Sequence, residues 1–309
     1  MKFIAEAPSK AIITGEHFVV HGAWALASAL PRKVRVEVNE SDHLRVVSDR
    51  LSSSKAPGLR PIEHVVEAMA REFSFDSHLR VSIRSEIPEG AGLGSSAATM
   101  VATAAAIARL HSLDLQLPEI IRFATVGESE VHGRPSGIDT AICAIGGAIL
   151  FKPGCAPKIV SFEGTRSLII TFSGKKRSTK RQIRRVAGVK ETFPSLFECL
   201  TQAASEVSEM AAVKLTVSDM RGLGMSLSFN HALLSTIGVS NHRLDSLVDL
   251  VNSLGAYGAK LTGAGGGGSV VAVAPRGKVK SIVSGLRRRG FETFRAEIPV
   301  QGVKSWAAR

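Results

Sequence analysis

The sequence predicts an α+β fold built in two halves. Strand-like and helix-like segments alternate along both halves of the 309 residues, a length that suits two domains or one large one. Each half carries one glycine-rich run beside a strand, at 88–97 and at 260–269. Glycine and proline cluster over Pro153–Gly164, so the halves are read as 1–162 and 163–309. Sheets with helices packed on one face are the natural arrangement of such a pattern.

The elements follow in order. Phe3–Ala7 and Lys10–Thr14 read as short strands joined through Ala-Pro-Ser. Val34–Val38 alternates in the strand manner, and Leu44–Val47 follows a polar turn. Asp49–Pro61 is rich in serine, proline and glycine and reads as a loop, Ile62–Phe73 has helical spacing, and Leu79–Ile83 alternates into the first glycine-rich run. Ala97–His111 is alanine-rich without internal glycine or proline, which predicts a helix. Pro118 suits the first turn of a helix reaching about Val131. Asp139–Ala144 starts a short helix, and Ala148–Lys152 reads as a strand.

In the second half, Leu168–Phe172 is a strand and Arg181–Val189, Phe193–Val213, Val217–Phe229 and Arg243–Ser253 are helices. Ala259–Leu261 leads into the second glycine run. Ser269–Ala274 is a strand, Lys278–Arg289 a helix and Thr293–Ile298 a closing strand.

Composition excludes several classes. Hydrophobic residues make up 44% and charged residues 21%, an ordinary globular balance. No apolar run reaches the ~18–20 residues that span a bilayer. Met1–Pro8 lacks the apolar stretch of a signal peptide, so a cytoplasmic location is expected. Cys143, Cys155 and Cys199 are too few for a disulfide framework or a zinc site. The net charge of +12 concentrates in 175–185 and in Arg287–Arg289. Aromatic residues are only 5% and do not interleave with the basic ones as base stacking requires, so neither nucleic acid nor membrane is an expected partner.

Four segments carry chemistry. Pro88-Glu89-Gly90-Ala91-Gly92-Leu93-Gly94-Ser95-Ser96-Ala97 follows a strand and opens a helix. Its glycines leave room for a ligand to reach main-chain N–H groups, and the first helical turn offers free donors and partial positive charge. Together these make a cradle for polyphosphate. No Gly-Lys-Ser/Thr closes the run, and its spacing is not G-x-G-x-x-G, which excludes a Walker A loop and disfavours a dinucleotide site.

The second segment places Glu128 eleven residues before Asp139, with a glycine-bounded loop between. Two carboxylates folded back in this way can face one pocket, one holding Mg²⁺ and the other orienting or deprotonating a hydroxyl. Taken alone, Asp139 reads equally as a helix N-cap and Glu128 as a solvated acid. The third segment sets Lys10 among apolar neighbours, followed by Gly15-Glu16-His17-Phe18-Val19-Val20-His21-Gly22. Such a lysine either snorkels or is a positioned cation. His17 and His21 lack a third metal ligand nearby. The fourth, Lys260-Leu261-Thr262-Gly263-Ala264-Gly265-Gly266-Gly267-Gly268-Ser269, predicts close backbone approach to a ligand or to another loop.

In this order the four segments resemble the GHMP kinase superfamily, and within it the branch that phosphorylates mevalonate. The resemblance covers Ala7 to about Ala274, and the Pro88–Ala97 run alone marks the superfamily. Galactokinase-like members carry Gly-Glu-His-Thr-Asp-Tyr where this chain has Gly15-Glu16-His17-Phe18-Val19-Val20. Arg177-Ser178-Thr179 is similar to a short segment of the same branch.

The resemblance implies an N-terminal ribosomal-protein-S5-like domain and a C-terminal ferredoxin-like domain with the site between them. It implies an ATP-dependent, Mg²⁺-requiring kinase acting on the 5-hydroxyl of (R)-mevalonate, on the route to isoprenoids. Asp139 would be the catalytic base, with Lys10 beside it. Pro88, Glu89, Gly90, Ala91, Gly92, Leu93, Gly94, Ser95, Ser96 and Ala97 would bind ATP. Ser96 and Glu128 would hold Mg²⁺. Glu16, His17, Thr179, Gly263, Ala264 and Gly265 would lie by the acceptor. A homodimer is a further family expectation. Ser9 stands where a glycine is more usual and Ser269 where a cysteine is often found; both are small. The adenine pocket has no clear signature and is sought in Asp49–Pro61 and at the start of the helix after the phosphate loop. Rival readings are another kinase of the superfamily, acting on phosphomevalonate or a sugar, and, more remotely, an RNA-binding S5-like module.

Overall fold

The computed structural model describes residues 1–49, 59–132, 135–175 and 178–308. The first sheet has seven strands, with β1 (Lys2–Thr14) and β2 (Ala25–Glu40) at its centre. Both strands are longer than the sequence suggests. Phe3–Ala7 and Lys10–Thr14 fuse into one strand whose register shifts between Pro8 and Ser9. Proline has no N–H to donate, so the irregularity falls where the ladder can spare a bond. β2 begins at Ala25, because Ala25–Ser28 pair with β5 (Ala148–Phe151) on one edge; β1 pairs with β2 from Leu26 onward, and β4 (Leu79–Ser85) pairs with Val34–Glu40. Small residues and Pro31 hide that strand from a reading by pattern.

β3 (Arg45–Ser48) runs parallel to β4, and α1 (Arg60–Phe73) makes the crossover between them. β6 (Lys158–Ile159) pairs with β5. Against this sheet lies α2 (Ser95–Leu110), with twelve of its sixteen residues buried. A helix apolar all round belongs inside, and its alanines let the sheet, α1, α3 (Leu117–His132) and α4 (Ile138–Ile145) approach closely.

The second sheet has the order β10-β7-β9-β8, from β7 (Arg166–Phe172), β8 (Gly258–Thr262), β9 (Ser269–Val273) and β10 (Thr293–Ile298). Counted along the chain this is 4-1-3-2, the ferredoxin-like order. The first crossover carries α5 (Thr179–Thr192), α6 (Pro194–Thr216), α7 (Met220–Thr236) and α8 (His242–Ser253); the second carries α9 (Val279–Arg288). In α9 the buried positions Val279, Ile282, Val283 and Leu286 follow helical spacing.

This sheet is covered on both faces. Leu168, Ile170, Val271 and Val273 join the core of the first half, while Ile169, Val270 and Ala272 point to a separate cluster under α8 and α9. Strand alternation thus serves two cores. The last strand, β11 (Lys304–Ala307), returns to the first sheet and pairs with β1. It is short and polar, and pattern alone does not reveal it. Among the described residues no helix is long and apolar enough to cross a membrane.

Candidate active site

β1 and the turn after it, the starts of α2, α4 and α5, and the loop after β8 meet beside Lys10. The loop before α2 turns through positive φ at Gly90, Gly92 and Gly94. Gly94 is the N-cap of α2, and no side chain caps that helix, so its first N–H groups are free for an anion. A Cβ on Gly94 would stand 2.6 Å from Cγ of Lys10. Lys10 crosses the loop at this point, with its own N–H donating to the Leu93 carbonyl at 2.9 Å. Ser95 Oγ lies 3.5 Å from Ser85 Oγ, while Ser96 is exposed at the helix start. Pro88 and Glu89 border an outer cleft with Arg32, Phe172 and Glu292.

The Lys10 side chain is buried and its Nζ lies 2.8 Å from Asp139 Oδ2, so it is a positioned cation and not a snorkelling one. Asp139 is not the cap of α4; Gly137 holds that place with φ 83. Freed from capping, the carboxylate in the first helical turn faces Lys10 and gains from the helix dipole. Glu128, on α3, is 4% exposed, which rules out a solvated acid. Burial first, and then the charge of Asp139, push its carboxyl up to about 8, against the pull of Lys10.

Glu128 Oε2 and Asp139 Oδ1 are buried without a hydrogen-bond partner among the described residues. Two orphaned carboxylate oxygens near an uncapped helix start suit Mg²⁺, which takes one or two carboxylates and completes its shell with phosphate and water. Among the described residues no three His, Cys, Asp or Glu side chains gather as a cage for a metal. His17 and His21 do not converge on one: His17 Nε2 lies 2.9 Å from the Ala264 carbonyl oxygen, and His21 packs edge-on against Phe197.

A cavity of about 280 Å³ opens over the Lys10–Asp139 pair. Lys10, Glu16, His17, Glu128, Asp139, Thr179, Gly263 and Ala264 line it, with Ile12, Val19, Val20, Ile138 and Ile183 as an apolar side. Gly265 packs behind it, against the Val239 carbonyl. Thr179 is the first residue of α5. Residues 50–58, 133–134 and 176–177 lie outside the described residues, including most of the loop considered for adenine and Arg177 of the first basic cluster.

Pattern reading assigned no part to Lys260 and Asn230, although both are fully buried. Lys260 forms an ion pair with Glu16, whose other oxygen accepts from Asn230 Nδ2 at 2.9 Å. A lysine inside an otherwise apolar strand beside a glycine run was the available signal. The Ser269 hydroxyl donates to the Ala91 carbonyl at 2.9 Å, tying the second glycine run to the phosphate loop.

Two family models match the chain: GHMP kinases N terminal domain over residues 60–147 and GHMP kinases C terminal over 210–292. The chain is 33% identical to the mevalonate kinase of Pyrococcus abyssi, over 97% of both chains. The chain belongs to the mevalonate kinase family of the GHMP kinases. A second family member, from Methanothermobacter thermautotrophicus, is 34% identical over 98% of this chain and all of its own length. Among solved structures, the L. major mevalonate kinase in complex with R-mevalonate superposes with a TM-score of 0.83 at 29% identity, covering 96% of each chain. The Methanococcus jannaschii mevalonate kinase shares the fold at a TM-score of 0.82 and 24% identity, over 96% of this chain and 98% of its own. The GHMP kinase fold is thus the fold of this chain, and the mevalonate kinase family sets its reaction class.

Proposed function

We propose that the chain transfers the γ-phosphoryl group of MgATP to the 5-hydroxyl of (R)-mevalonate, giving 5-phosphomevalonate and ADP. The observation that carries the reading is the Lys10–Asp139 pair, 2.8 Å apart at the floor of the cavity. The hydroxyl oxygen attacks the γ-phosphorus and its proton passes to Asp139. The new O–P bond forms as the bond to the bridging oxygen breaks, and ADP leaves with that electron pair. Lys10 stabilises negative charge on the attacking oxygen. Residues 88–97 cradle the phosphates, with Ser95 on phosphate. Ser96 and Glu128 would hold Mg²⁺, which would supply charge neutralisation on the polyphosphate.

His17, Thr179, Gly263 and Ala264 shape the acceptor side of the cavity, against the apolar wall of Ile12, Val19, Ile138 and Ile183. A five-carbon chain that carries a methyl group, two hydroxyls and a carboxylate matches such a two-sided lining. Glu16 borders the same space, and Gly265 supports the wall from behind. Purified protein given MgATP and a panel of mevalonate, phosphomevalonate, galactose and homoserine should form a phosphate ester with mevalonate alone. Faster turnover on another acceptor would replace this assignment.

A homodimer belongs to the same proposal. Met210 of α6 and Met225 and Phe229 of α7 are exposed and border a groove of about 450 Å³. Glu206 stands toward one end and Arg221 toward the other, where Lys214 is paired with Asp219 at 3.1 Å. Two copies packed antiparallel about a two-fold axis bring acid to base at both ends.

A further inference from the structure

Glu16 borders the acceptor cavity, yet its carboxylate is already engaged. One oxygen takes Lys260 Nζ and the Gly263 N–H at 3.4 Å. The other takes Asn230 Nδ2 at 2.9 Å, and Asn230 returns its own oxygen to the Gly15 N–H at 3.0 Å. Lys260 Nζ also reaches the Ile12 carbonyl at 3.4 Å. Thr262 Oγ1 donates to that carbonyl at 2.9 Å and accepts the Ile12 N–H at 3.1 Å. Glu16, Asn230, Lys260 and Thr262 are all buried.

These bonds join three elements from both halves: the end of β1 and the turn after it, the middle of α7, and β8. Ile12 is two residues from Lys10 on β1, and Gly263–Ala264 follow directly on β8. The network therefore ties β1, the strand bearing Lys10, to the opposite wall of the cavity. On the far side, the Ala264 carbonyl lies against His17. An ion pair buried this deeply adds little net stability compared with an apolar pair of the same shape. Its worth lies in geometry, because each group has one arrangement that satisfies every partner.

We propose that Lys260 and Asn230 are positioning residues for phosphoryl transfer, acting through Glu16 to fix the distance between β1 and the Gly263–Ala264 wall. Glu16 then serves the acceptor by holding the wall, not by donating its carboxylate to it. The proposal rests on the kinase reading above.

The test is the double variant E16Q/K260M, which removes both charges at nearly constant shape, together with Asn230→Ala, which keeps the ion pair. Steady-state kinetics with mevalonate and MgATP are read beside MgADP affinity by calorimetry and hydrogen exchange of 263–268. We expect KM for mevalonate to rise at least tenfold in the double variant and at least threefold in Asn230→Ala. MgADP affinity should stay within about twofold, and exchange of 263–268 should rise. Parental KM and kcat in the folded double variant, whatever its melting temperature, overturn the positioning role. If the double variant does not fold, parental kinetics in Asn230→Ala overturn it. A parent protein inactive on mevalonate removes the kinase reading and this proposal with it, an outcome distinct from an active parent with indifferent variants.

Discussion

Asp139 faces Lys10 because Gly137 takes the cap of α4 and leaves the carboxylate unspent. Replacing it with Asn keeps the shape and removes the proton acceptor. We expect Asp139→Asn to lower kcat by about 10²–10⁴, the range for general-base catalysis, while MgATP affinity falls no more than a few-fold; ADP release and calorimetry measure the two. Glu128 gives a pH signature. Its carboxyl is raised from 4.5 to about 8 in the folded protein, so between those values the folded chain binds more protons than the unfolded one. Stability from this group is full below about 4.5 and is lost as pH rises through about 8. Melting curves of the metal-free protein from pH 6 to 9 should therefore fall more steeply for the parent than for Glu128→Gln. Parallel curves would remove the raised carboxyl. Gly94 is a steric case: with φ 77 and a Cβ 2.6 Å from Lys10 Cγ, Gly94→Ala displaces the lysine, and kcat should fall at least tenfold with the fold kept, as judged by circular dichroism.

At the scale of elements, most of the fold was legible in the sequence. Helices such as α2 and α9 announce themselves by composition and spacing, and strands such as β7 and β10 by alternation. The glycine run 88–97 and Lys10 stand out because each is unusual in its surroundings, whereas Glu128 and Asp139 read alone as a solvated acid and an N-cap and are set in one site only by the family resemblance. What stayed hidden depends on distant partners. The first part of β2 is a strand because β5 lies beside it, and Lys260 is tolerated because Glu16 and Asn230 meet it from other elements. Gly258 marks the same limit. A Cβ there would stand 1.9 Å from the Gly224 carbonyl oxygen, so α7 rests directly on β8 and delivers Asn230 to the site. Gly258→Ala should separate the two elements and cost several kcal/mol, more than a typical point mutation; a fall in melting temperature under about 2 °C would show that the helix can move away freely.

At the scale of the molecule, the halves are fused and not hinged, since one apolar cluster runs from the first sheet into β7, β9 and β10. A single calorimetric transition is expected, in which the two halves do not melt apart. The exposed apolar face of α6 and α7 predicts a species of twice 32.7 kDa in sedimentation equilibrium, and Phe229→Lys should return it to the single chain. An unchanged mass in that variant would move the interface elsewhere.

The pairing of β1 with β11 joins strands that lie far apart in sequence, Phe3 opposite Ala307. During synthesis the strand that carries Lys10 waits with part of one edge bare until β11 emerges. An unpaired edge is a template for pairing with other chains, and contacts so distant in sequence form slowly. A chain that lacks β11 should therefore keep every residue of the cavity and still be prone to aggregate.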